Sequence, residues 1–132
     1  MLVPWAIADI KSIPGISRRS YHTETAFQIY CVTWLRKQFE LTGLPIYDKW
    51  HHSVNEHHGA RLIAKLMGQS PGFPDLINPI YRIALELKIP GRRASNKQID
   101  WLACLASSGW ATATIYNFED FKIFLKNFIE SH

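Results

Sequence analysis

The stretch Gly72-Phe73-Pro74-Asp75-Leu76-Ile77-Asn78-Pro79, followed by Tyr81-Arg82-Ile83-Ala84-Leu85-Glu86-Leu87-Lys88-Ile89-Pro90-Gly91, decides how the rest of the chain reads. Gly72 to Ile77 is a short apolar strand carrying one acid, and Asn78-Pro79 is a turn signal. From Tyr81 to Ile89 the residues alternate. Ile83, Leu85 and Leu87 face one way, while Ala84, Glu86 and Lys88 face the other. Two strands so close in sequence predict an antiparallel hairpin that sets Asp75 beside Glu86, and Pro90-Gly91 ends it. Both acids lie within apolar segments, where an unpaired charge is costly, so something must compensate them.

Outward from the hairpin the chain alternates between helices and strands. Downstream, Ser95 caps a helix whose apolar face is Ile99, Leu102, Ala103, Leu105 and Ala106, closed by Gly109. Ala111 to Tyr116 is a β-branched-rich strand, and Asn117 caps a last helix with Phe121, Phe124, Leu125 and Phe128 inward. Upstream, Ala60 to Met67 spaces Leu62, Ile63, Leu66 and Met67 for a short helix closed by Gly68, after a polar loop from Asn55 to Gly59. Leu44 to His52, large and aromatic after Pro45, suits a strand. Before it, Thr23 caps a helix with Ala26, Phe27, Tyr30, Cys31, Trp34, Leu35 and Phe39 at three- and four-residue steps, stopping at Thr42-Gly43. Residues 1–20, with Pro4, Pro14 and Ser17-Arg18-Arg19-Ser20, form an irregular arm. Residues 21–132 then make one α/β domain.

The whole-chain numbers agree with that reading. The chain has 132 residues, enough for one domain and a core but not comfortably for two. No apolar run approaches the ~18 residues of a membrane span. Met1 to Ala8 has no basic lead and meets Asp9 at once, so it makes a poor signal peptide. The two cysteines, Cys31 and Cys104, fall within apolar helical patterns and read as buried thiols of a cytoplasmic protein, not as a disulfide or zinc framework. Lys and Arg number 15 against 11 Asp and Glu, and the resulting +4 is compatible with nucleic acid without requiring it.

Asp75, Glu86 and Lys88 together suggest a chemistry. Two carboxylates on adjacent strands suit Mg²⁺, which favours one or two carboxylates completed by water and substrate phosphate. Glu86 and Lys88 project from one strand face, about 7 Å apart by strand rise. An ammonium there lowers the pKa of a metal-bound water and stabilises charge on an attacked phosphate. That is the equipment of phosphodiester hydrolysis. Glu-x-Lys alone is a commonplace of solvated strands; it is Pro74-Asp75 one turn upstream that makes the set pointed.

Pro74-Asp75 followed by Glu86-Leu87-Lys88 resembles the signature of the PD-(D/E)XK nucleases. The wider pattern is similar to one branch of them, the virus-type replication-repair nuclease (VRR-NUC) domain. Its marks are Glu24-x-x-x-Gln28; Asn55-Glu56; Gly68-x-x-x-Gly72-Phe73-Pro74-Asp75-Leu76; Glu86-Leu87-Lys88-x-Pro90-Gly91; Ser95-x-x-Gln98-x-x-Trp101-x-x-x-Leu105; and Gly109, in the expected order over about residues 22–116. The resemblance implies a restriction-endonuclease-like αβββαβ core with a mixed central sheet, an extra short helix and a C-terminal helix. It implies Asp75, Glu86 and the Leu87 carbonyl as ligands of Mg²⁺ or Mn²⁺, with Lys88 polarising water. Glu24 would approach the cluster from the first helix, directly or through water, as a further metal residue supporting a second ion, and Gln98 would be an active-site polar residue. The implied activity is a structure-selective DNA endonuclease on branched DNA, such as flaps or four-way junctions. The implied partners are a second copy of the chain and a helicase or replication protein.

Each of these residues has a plainer reading. An acid at Glu24 is favoured in the first helical turn by the helix dipole. Gln28, one turn on, holds Glu24 or reaches phosphate. Ser95-Asn96-Lys97-Gln98 is a capping box, compatible with active-site duty at a helix start facing the hairpin. His51, His52, Glu56, His57 and His58 invite a zinc site, yet they lack the His-Glu-x-x-His register, and His52 and Asn55 read better as DNA contacts. Arg92, Arg93 and Lys97 flank a helix start where phosphate sits well, and Arg18 and Arg19 offer a second contact from the arm. Trp34, Trp101 and Trp110 read as core. The rival from another class is a catalytically silent module that binds DNA junctions or a replication complex.

Overall fold

The computed structural model describes residues 23–52 and 72–132. Helix α1 spans Glu24–Thr42, with Thr23 Oγ1 accepting from the Ala26 N–H at 3.1 Å. It ends at Gly43, whose φ of +67° turns the chain so that its N–H returns to the Phe39 carbonyl at 2.8 Å. Strands β1 (His51–His52), β2 (Leu76–Asn78) and β3 (Ile83–Leu87) come next, then α2 (Asn96–Ser107), β4 (Ala111–Ile115) and α3 (Phe118–Ser131). This is the expected αβββαβ order with a C-terminal helix; the expected short helix at 60–67 lies outside the described residues, as does the arm.

The four strands lie in the order β1-β2-β3-β4. The first three are antiparallel, and β4 runs parallel to β3 after the α2 crossover, so the sheet is mixed. The expected hairpin is there, and its register pairs Leu76 with Leu85. Asn78 builds the turn: its Oδ1 accepts from the N–H groups of Ile80 and Tyr81.

Alternation along β3 separates two faces. Ile83, Leu85 and Leu87 are buried with Phe27, Tyr30, Trp34 and Leu35 of α1 and with Phe118, Phe121 and Leu125 of α3. Trp34 sits at the centre, its ring meeting Tyr47, Phe118 and Phe121 edge-on at 5.7–5.8 Å. The opposite face carries Ala84 and Glu86 and is covered by α2. The candidate site residues Asp75 and Glu86 therefore stand on the back of the main core.

Three expectations need correcting. Leu44 to His52 is not one strand: Pro45–Tyr47 forms a 3-10 turn, because proline at its first position suits helical φ, and Lys49 at φ +60° breaks any extended run. Only His51–His52 pairs with β2. Cys104 is exposed, whereas Cys31 is buried as expected. On α2 only Leu102 is buried; Ile99, Ala103 and Ala106 face outward, so its apolar spacing does not mark a core face over its whole length.

Candidate active site

The hairpin register places Asp75, just before β2, across from Glu86. The Leu87 N–H donates to Asp75 Oδ2 at 2.8 Å, so the strand that carries one acid holds the other in place. The two carboxyl groups are close enough to share a proton. With both ionised, Glu86 Oε2 is buried and no donor reaches it. Burial, more than any neighbouring charge, sets the proton affinity of both groups. It raises the Asp75 pKa above the usual carboxylate range and pushes Glu86, only 1 % exposed and facing the Asp75 charge, up to about 9.

Lys88, one residue past β3, is buried at 8 % exposure and is held by its N–H to the Ile115 carbonyl at 2.9 Å. Its Nζ lies 3.6 Å from Glu24 Oε1, and its charge favours ionisation of both Asp75 and Glu86. Glu24 thus borders the acid pair from α1, paired with Lys88, and its charge opposes ionisation of both Asp75 and Glu86; among the described residues no three His, Cys, Asp or Glu side chains gather as metal ligands. Gln98, on the first turn of α2, donates from Nε2 to Glu86 Oε1 at 2.7 Å, and its capping box with Ser95 is also formed. The same amide therefore closes the capping box and reaches Glu86.

The other residues singled out from sequence spread around this centre. Gln28 is buried one turn beyond Glu24 on α1. Arg92, Arg93 and Lys97 are exposed along the connection from β3 into α2, between Lys88 and Gln98 in the chain. His52 stands opposite Leu76, on the main-core face, where it lines a cavity of ≈ 300 Å³ with Arg36 and Trp50. His51, opposite Ile77, shares the Glu86 face instead. Strand parity would have favoured it over His52, but the boundaries of so short a strand are invisible in sequence. Arg18, Arg19, Asn55, Glu56, His57 and His58 lie outside the described residues.

The donor set tests well against a hard divalent cation. Two carboxylates whose charges repel, one with an orphaned buried oxygen, are what Mg²⁺ or Mn²⁺ completes with water and phosphate oxygens. The Leu87 carbonyl is the adjacent main-chain oxygen.

An αβββαβ chain whose hairpin brings an acid pair beside a lysine defines the restriction-endonuclease-like class. Comparison with solved structures is more specific. A protein described as a VRR_NUC domain protein is 27% identical, covers 83% of this chain and 90% of its own, and superposes with a TM-score of 0.66. No family model matches the chain, and no curated protein matches it. The chain has the VRR-NUC fold, that of a nuclease-type domain.

Proposed function

We propose that the chain is an Mg²⁺- or Mn²⁺-dependent structure-selective DNA endonuclease acting on branched DNA, either flaps or four-way junctions. The observation that carries this reading is the pair of half-buried Asp75 and buried Glu86, with an unpartnered Glu86 oxygen, set next to a buried lysine. Asp75, Glu86 and the Leu87 carbonyl would hold the metal. The chemistry such a metal supplies when bound is a Lewis acid at the phosphate and an acidified water. Lys88 brings positive charge to the attacked phosphate, where charge develops in the transition state. Glu24 holds that ammonium in the site at 3.6 Å. Gln98 fixes Glu86 at 2.7 Å.

Arg92, Arg93 and Lys97 would grip the phosphate backbone beside the site, with Arg18, Arg19, Asn55, His52 and Gln28 as further contacts. Each phosphate neutralised should contribute about 0.9 to the salt slope of binding. A second copy of the chain would let a four-way junction be cut on two strands. A helicase or replication protein would direct it to DNA in the cytoplasm. No described helix is long and apolar enough to cross a membrane.

The test is cleavage of duplex, flap, fork and four-way-junction DNAs by purified protein with Mg²⁺ or Mn²⁺, beside Asp75→Ala and Lys88→Ala. Cleavage of branched DNA by wild type only is expected. If wild type cuts nothing, or Lys88→Ala cuts equally well, the proposal fails; binding without cleavage would point to the silent junction-binding module.

A further inference from the structure

The terminal amide of a glutamine is nearly symmetric in shape, and its last torsion has broad, two-fold wells. Packing alone therefore does not decide whether Gln98 shows its oxygen or its nitrogen to Glu86. Hydrogen bonds do. The Ser95 main-chain N–H, which can only donate, meets Gln98 Oε1 at 2.7 Å. With the oxygen taken, Nε2 must face Glu86, and it donates to Oε1 at 2.7 Å. That bond satisfies one oxygen of Glu86 and leaves Oε2 as the orphan. A flipped amide would place an acceptor against Glu86 and a donor against a donor, losing both bonds.

The surroundings keep Ser95 and Gln98 at the right height. Gly72 lies against the first turn of α2 so closely that a Cβ there would sit 2.7 Å from the Lys97 carbonyl carbon and 2.8 Å from the Gln98 nitrogen. One residue on, Phe73 meets Trp101 edge-on with centroids 5.0 Å apart. Trp101 is three residues beyond Gln98 on the same helix, so the segment leading into Asp75 and the helix carrying Gln98 are clamped together at two points.

We infer that Ser95 is a positioning residue of the site: its main-chain N–H sets the sense of the Gln98 amide and thereby keeps a donor on one oxygen of Glu86 while the other stays open to a cation. The value of that arrangement rests on the metal-dependent reading of the site; the orientation itself does not.

Two substitutions separate the main-chain N–H from the rest of the cap. Ser95→Ala removes Oγ, which accepts from the Gln98 N–H at 3.2 Å, but keeps the main-chain donor. Ser95→Pro removes both, and the backbone there, at φ −69° and ψ 164°, already suits proline. Both should lower the melting temperature by a similar few degrees. In metal-free full-length protein, the Gln98 side-chain amide resonances should keep their wild-type positions in Ser95→Ala and move to those of a free glutamine in Ser95→Pro. Mn²⁺ affinity, read by titration, should fall about tenfold in Ser95→Pro relative to Ser95→Ala, in the range for loss of a group orienting a metal ligand. Branch cleavage should show the same fall in kcat with KM for DNA unchanged.

Wild-type amide resonances or wild-type Mn²⁺ affinity in Ser95→Pro would overturn the inference. Should that variant not fold, hydrogen exchange decides: Gln98→Ala must expose the Ser95 amide proton, and a proton protected equally in both proteins overturns it. If wild type neither binds Mn²⁺ nor cuts DNA while the amide still moves in Ser95→Pro, the orientation stands and the nuclease reading falls.

Discussion

Raising the pH of the metal-free protein should loosen it, by an amount that the acid pair sets. Glu86 is held protonated up to about 9 against an ordinary 4.5, chiefly because it is buried and next because it faces Asp75. In the unfolded chain the same carboxyl gives up its proton through its ordinary range. Between the two values the native state binds more protons than the unfolded one, so stability falls as pH rises across that window; below it there is no difference to lose. A full proton is worth about 1.4 kcal/mol per pH unit. Lys88 favours ionisation and spreads the titration, so a loss of about 2–4 kcal/mol between pH 5 and pH 8 is the reasonable scale. For a domain of this size that is on the order of 10 °C in Tm. Thermal melts followed by circular dichroism, in chelator and then in millimolar Mg²⁺, measure it. Glu86→Gln is the internal control: it should match wild type near pH 5, exceed it near pH 8 in chelator, and gain little from Mg²⁺. Mg²⁺ should flatten the wild-type slope by replacing the shared proton. A wild-type Tm in chelator that is level or rising from pH 5 to pH 8 would refute the account of the pair.

Three other substitutions probe separate parts of the molecule. Lys88→Met should lower kcat for branched DNA about 10²–10³-fold with KM little changed, the usual scale for losing one group that stabilises transition-state charge; single-turnover cleavage reads it. Gly72→Ala combines a φ of +84° with contact against main-chain atoms of Lys97 and Gln98, and should cost about 2–3 kcal/mol in urea unfolding. Gln38→Leu should raise stability by about 1 kcal/mol, since both amide atoms of Gln38 are buried without a partner and the side chain is 0% exposed.

The parts of the site legible in sequence are those that two-residue periodicity fixes. Once Ile83, Leu85 and Leu87 must face the core, Glu86 must face away, and a short turn brings Asp75 to it. The capping box was legible too, because Ser95 and Gln98 are local to one helical turn. Contacts between distant elements were not. Nothing in the string shows Glu24 turning to Lys88 across 64 residues of chain, or Gly72 pressing on Lys97. The strand expected over Leu44–His52 failed because hydrophobic content without alternation cannot distinguish an extended run from a 3-10 turn followed by a bend. On α2 the failure was of another kind. Ile99, Ala103 and Ala106 have helical spacing, but spacing shows which residues share a face and not whether anything covers it.

Glu86 and Gln38 are the same anomaly on paper, each with a buried polar atom that no donor or acceptor meets. Their settings separate them. Gln38 is sealed and neutral, one helical turn from the equally unpartnered Trp34 Nε1, and it contributes only the cost of a lost hydration shell. Glu86 is charged when its proton leaves, its other oxygen is already held by Gln98, and its neighbour Asp75 is only half-buried, so an ion can reach the pair from solvent. A cost that a cation can remove is a binding site; one that nothing removes is a defect in packing. Adding Mg²⁺ should therefore raise the Tm of wild type and of Gln38→Leu by the same increment at pH 8, and leave Glu86→Gln where it was. An Mg²⁺ increment that survived Glu86→Gln would place the cation elsewhere, and the orphaned oxygen would then be no more informative than Gln38.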